Sequence, residues 1–86
     1  MVKYAAEVTW VDAHATTTTW TASADLDISD RVIRSVGWVI HRDARHLVLA
    51  LSVDRDADAV DSVITIPAVC VRRIDRLTRP LFRRAK

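Results

Sequence analysis

The chain has 86 residues, a single cysteine and a net charge of +2, and half of its residues are hydrophobic. That describes one domain with one small core, too apolar for disorder and unable to close an internal disulfide. No stretch approaches the ~20 apolar residues of a membrane-spanning helix. Residues 1–7 lack the apolar run of a secretory leader, so a cytoplasmic protein is expected.

The elements are legible in chain order. From Ala6 to Val11, Val8 and Trp10 alternate with Glu7, Thr9 and Val11, a period of two that predicts a strand. Asp12 to Thr19 breaks the alternation and reads as a loop with four consecutive threonines, returning at Trp20. Ser23 to Asp30 is long enough for one helical turn, with Ser23 or Asp25 as cap. Val32 to His41 predicts a second strand, apolar on both faces, with the only glycine, Gly37, at its centre as a kink or a close-approach point. Residues 42–45 make a turn. Leu47 to Val53 returns, with Leu47, Leu49, Leu51 and Val53 expected inward. Asp54 to Asp61 is an acidic loop, Ser62 to Ile66 a fourth strand, and Pro67 stops it because proline cannot donate to a ladder. A 3₁₀ turn over residues 67–69 and a last strand from Cys70 to Leu77 complete the reading.

These elements predict an all-β fold: a small, strongly bent, antiparallel five-stranded barrel of the SH3-like or Sm-like kind with a short helical turn. It spans residues 1–77 and is followed by a basic tail, residues 78–86. Arg72, Arg73, Arg76, Arg79, Arg83, Arg84 and Lys86 against Asp75 make residues 72–86 +6, which leaves −4 for residues 1–71. The acidic body disfavours nucleic acid, whose phosphates it would repel.

Catalytic signatures are missing. There is no nucleophile elbow, no phosphate-cradling glycine loop and no metalloprotease His-Glu spacing, so no enzyme, cofactor or metal is expected. His41 and His46 flank a turn without a third ligand and read as solvated. The aspartates of residues 54–61 lack the glycine and glutamate of a calcium loop, where Ala59 and Thr65 stand. Cys70 reads as a buried, inert thiol. Three tryptophans in a chain with one Phe and one Tyr are the unusual feature. If the first strand continues, Trp10 and Asp12 share a face. They then offer an indole to stack on a base and a carboxylate to accept ribose or base donors. Core filling is the competing role for Trp10 and Trp38, while Trp20 is expected at a surface.

The ordered set Trp10-Val11-Asp12-Ala13, Trp20, Ser35-Val36-Gly37, Leu49-Ala50-Leu51-Ser52 and Ile66-Pro67 resembles a group of short phage-encoded proteins over roughly residues 7–77. The chain is thereby similar to the anti-CBASS and Thoeris anti-defence sponges, which bind nucleotide immune signals without cleaving them. The resemblance implies a phage protein acting in the host cytoplasm as a homo-oligomer, of tetramer size, with a cyclic oligonucleotide or cyclic ADP-ribose-type ligand between subunits. With the reading of the residues, it gives a ligand-binding set of Trp10, Asp12, Trp20, Ser35, Gly37, Ser52 and Arg72. Two positions depart from the pattern. Leu51 stands where a polar residue is expected, and Ala68 where a basic one is, so a phosphate contact at Ala68 must be lost or supplied by Arg72 or Arg73. The alternative is a module that inhibits or retargets a host protein through a sheet edge. A third reading is an RNA binder that uses the arginine tail.

Overall fold

Alternation of small or β-branched residues with polar ones builds five strands, and the computed structural model describes them within residues 4–78. They are β1 (Tyr4–Asp12), β2 (Arg31–Arg42), β3 (His46–Asp54), β4 (Ala59–Pro67) and β5 (Val71–Arg76). Two single 3₁₀ turns, Ser23–Asp25 and Ala68–Cys70, are the only helical elements among the described residues. The predicted tail lies outside the described residues from position 79 onward.

All five strands join one antiparallel sheet in the order β4-β3-β2-β1-β5. The fold is thus all-β, as expected, but the sheet does not close: β4 and β5 remain its two edges. The bend comes from irregularities of pairing between Thr9 and Trp10 and between Val39 and His41, since a bulge bends the strand that carries it.

Each connection has a local chemical cause. In the β2–β3 turn, Asp43 accepts the backbone N–H groups of Arg45 and His46 at 2.8 and 2.7 Å, and its own N–H donates to the His46 carbonyl at 2.9 Å. An aspartate that mimics a backbone acceptor closes a turn without glycine. Asp54 does the same for the β3–β4 hairpin, accepting from Asp56 and Ala57 at 3.1 and 3.2 Å. Asp58 in that hairpin and Ser62 in β4 adopt left-handed backbone, with φ of 51° and 56°. The sequence-based acidic loop was too long, because Ala59 to Asp61 already pair with β3. Pro67 ends β4 as expected, and the next residue, Ala68, donates to the Arg45 carbonyl at 2.8 Å. That bond ties the start of β5 to the β2–β3 turn.

The core is one side of the sheet. Ala6, Val8, Trp10, Val39, Leu47, Leu49 and Ile66 are buried together, with Tyr4, Ile33, Cys70, Val71 and Ile74 packed around them. Each large aliphatic among them contributes about 1.5–3 kcal/mol by leaving water. Cys70 is half-buried rather than enclosed. Gly37 sits where β2 crosses closest to β3: a Cβ there would stand 2.8 Å from the Ala50 carbonyl oxygen. Its backbone is not left-handed, so the requirement for glycine is one of space.

Past this crossing β2 and β3 separate. β2 pairs with β3 only through residues 38–42, opposite residues 47–50. Leu51 to Asp54 therefore pair with β4 alone, as a two-stranded ribbon that leaves the sheet. This corrects the inward placement of Leu51, which is 66% exposed. The alternation is as predicted, but the neighbouring strand that would cover it has turned away.

A basic groove at the open seam of the sheet

The seven expected ligand-binding residues do not form one site. Trp10 lies in the core, 9% exposed, and its indole N–H donates to Ser35 Oγ at 3.0 Å. The polar edge of this tryptophan is thus satisfied inside the fold, as a buried indole requires. Ser35 is its partner, and Gly37 serves the β2–β3 crossing. Asp12 ends the β1–β2 ladder opposite Arg31. Trp20 is fully exposed in the β1–β2 loop, beside threonines that bond among themselves: Thr17 Oγ1 donates to the Thr19 carbonyl at 3.0 Å and accepts the Thr19 N–H at 3.2 Å. Ser52 lies in the ribbon, opposite Asp61. Trp38, offered as a core filler, is half-buried on the face away from the core, opposite Ala5 and Ala50.

Arg72 is different. It lines a groove of about 700 Å³ between β5, the 3₁₀ turn at Ala68 and the β2–β3 turn. The apolar floor is Tyr4, Leu47, Val71 and Ile74; the cationic rim is Arg42, Arg72, Arg73 and Arg76. Arg72 Nη2 donates to Asp30 Oδ2 at 2.6 Å, which draws the end of the long loop to β5. Arg73 Nε reaches the Asp75 carboxylate at 2.8 Å. The Arg76 guanidinium carbon lies 4.5 Å from the centre of the Tyr4 ring, a cation–π contact. Among the described residues, Arg42 and Arg76 have no carboxylate partner, so their N–H forks remain to bind an anion.

Asp43 is the acidic member of the groove lining. It bonds His41 Nε2 at 2.6 Å and lies 3.9 Å from His46 Nδ1. The bond to His41, then the two backbone donors, lower its pKa from the ordinary value to about 2. It is an anion that closes the turn and bonds the His41 imidazole. Among the described residues no group of three or more histidine, cysteine and acidic side chains stands close enough to hold a metal ion.

Residue reading missed Tyr4, Arg42 and Arg76. The signal for Arg76 was present in the basic bias after residue 71, but that bias had been assigned to a tail. Ala68, where a basic residue was expected, lines the same groove as Arg72 and Arg73, the two residues expected to replace it. Leu51 belongs to the ribbon.

Fold and groove define a small all-β domain with a cation-rimmed, aromatic-edged recess. No protein-family model, curated protein or solved structure matches the chain. No helix among the described residues is long and apolar enough to cross a membrane.

Proposed function

We propose that this chain is a non-catalytic binding protein that sequesters a phosphorylated signal of the cyclic oligonucleotide or cyclic ADP-ribose type, as phage anti-defence sponges do in the host cytoplasm. One observation carries the reading: Arg42, Arg72, Arg73 and Arg76 surround an apolar recess that Tyr4 edges. A nucleotide pairs anionic phosphates with a flat base and an apolar ribose face. Guanidinium forks bind phosphate oxygens bidentately, and the planar Arg76 guanidinium, backed by the Tyr4 ring, is a surface on which a base could stack. The described residues that line the groove include no serine, threonine or cysteine nucleophile, which favours a ligand that leaves as it entered. Function then follows from stoichiometry: enough protein lowers free signal below the threshold of its receptor.

Titration calorimetry against cyclic dinucleotides, cyclic trinucleotides and ADP-ribose-derived signals tests the proposal. Tight binding, with intact ligand recovered after heating, is the expected result. No heat across the panel would sink it.

A second reading has an observation of its own. Among the described residues β4 and β5 each pair on one side only, and Val36 on the outer face is 59% exposed. Such edges accept a strand from another protein. A host lysate that yields no stoichiometric partner would remove this alternative.

A further inference from the structure

The groove leaves the ribbon end of β3 and β4 without a role. Leu51 is 66% exposed in the ribbon, where β2 no longer pairs with β3, and Val63 (46%) and Ile64 (38%) are exposed on the adjoining stretch of the edge strand β4. The same end carries Asp54, Asp56, Asp58 and Asp61 against Arg55 alone. The groove is its complement, an apolar floor under a cationic rim. A molecule does not fill its own groove with its own ribbon. His46 and Leu47, in the groove, begin the nine-residue β3, and the ribbon end follows Asp54 at the far end. At the rise of an extended chain, about 25–30 Å separate them.

We infer that the acidic ribbon end of one copy docks in the basic groove of a second copy, with Leu51, Val63 and Ile64 meeting apolar surface along the way. The contact is head-to-tail, so each copy carries both halves and the assembly continues until it closes into a ring. An interface made by one hairpin end lies below the roughly 1,200 Å² of stable complexes, so it is weak and salt-sensitive. The inference does not depend on the groove's ligand, but it adds a consequence. Aspartates of the neighbour and phosphates of a ligand compete for Arg42 and Arg76, so filling the groove with an anion releases the neighbour.

Sedimentation velocity of the full chain is the test. The mean mass should rise with concentration at about 0.05 M salt and return to monomer near 1 M, where the screening length falls to ~3 Å. A ribbon variant (Asp56→Lys with Asp61→Lys) and a groove variant (Arg42→Glu with Arg76→Glu) should each stay monomeric. Mixed, they should associate, because the unaltered acidic ribbon meets the unaltered basic groove and the lysine ribbon meets the glutamate groove. A wild-type monomer at low salt, an oligomer indifferent to both variants, or a mixture that fails to pair would overturn the inference. The ribbon variant keeps its groove, so calorimetry on it judges the nucleotide proposal separately. Pairing without ligand binding would sink that proposal alone, and ligand binding without pairing would sink this one alone.

Discussion

Replacing Gly37 with alanine should destabilise the domain without touching the groove. The added Cβ would stand 2.8 Å from the Ala50 carbonyl oxygen, and it meets backbone rather than the flexible end of a side chain. Relief requires β2 and β3 to move apart at the point where Trp38 pairs with Ala50. Overpacking of this kind costs about 1–3 kcal/mol. Because the Gly37 backbone is not left-handed, alanine also restricts the unfolded chain, which offsets about 0.4–1 kcal/mol. The central values leave a net loss of about 1.3 kcal/mol, or roughly 5–10 °C in thermal midpoint for a domain of this size. Thermal and urea unfolding followed by circular dichroism would measure it. A variant as stable as the parent would show that the crossing has slack, and the account of the glycine would be wrong. Loss of ligand binding at unchanged stability would instead place Gly37 at a binding surface.

Ser35→Ala leaves the Trp10 indole N–H without its acceptor, and it should cost about 1–3 kcal/mol in urea unfolding with an altered tryptophan emission; unchanged emission would mean water replaces the hydroxyl. Ser62→Gly should stabilise by about 0.5–1 kcal/mol, because it relieves left-handed backbone in an exposed strand residue; a lower denaturation midpoint would refute this. The Asp43 pKa is depressed in the folded state to about 2, so its contribution is complete above the ordinary carboxylate value and is lost as pH falls through about 2. Asp43→Asn should therefore lower the thermal midpoint at pH 7, with the gap from the parent narrowing as pH drops from about 4 to 2. An equal gap at both ends would assign the effect to turn geometry alone. Arg42→Ala with Arg76→Ala should weaken anion binding at least about tenfold, given about 1.5–3 kcal/mol for a hydrogen bond to a charged group, with little change in stability. Undiminished binding would move the site elsewhere.

The strands were legible because each depends on its own residues. Alternation around Val8 and Trp10, β-branching through Val32 to Ile40 and the stop at Pro67 are local facts, and all five strands formed where these signals lay. Leu51 was misplaced because its burial depends on β2, a strand ten residues earlier whose departure from β3 no local pattern records. Trp10 and Ser35 were grouped as ligand contacts when their pairing is internal; they are 25 residues apart, and only the β1–β2 register brings them together. The groove was hidden for the same reason. Tyr4, Arg42 and Arg76 come from three strands and meet only through the sheet order.

The site and the incompleteness of the sheet have one cause. On β5, Ile74 stands opposite Val8 and joins the core, whereas Arg76, two residues on and on the same face, stands opposite Ala6 and turns to Tyr4. The inward alternation of this strand thus changes from apolar to charged at the point where closing the sheet would enclose it. An unpaired guanidinium cannot be buried there at a tolerable cost. With a leucine at position 76, and another at position 42, the same backbone would have an apolar seam to collapse. Two arginines on that face make closure unfavourable, which ties the recess to the choice of side chain. The double substitution Arg42→Leu with Arg76→Leu should accordingly raise stability while weakening anion binding at least about tenfold, which opposes the two quantities that a simple folding defect would lower together.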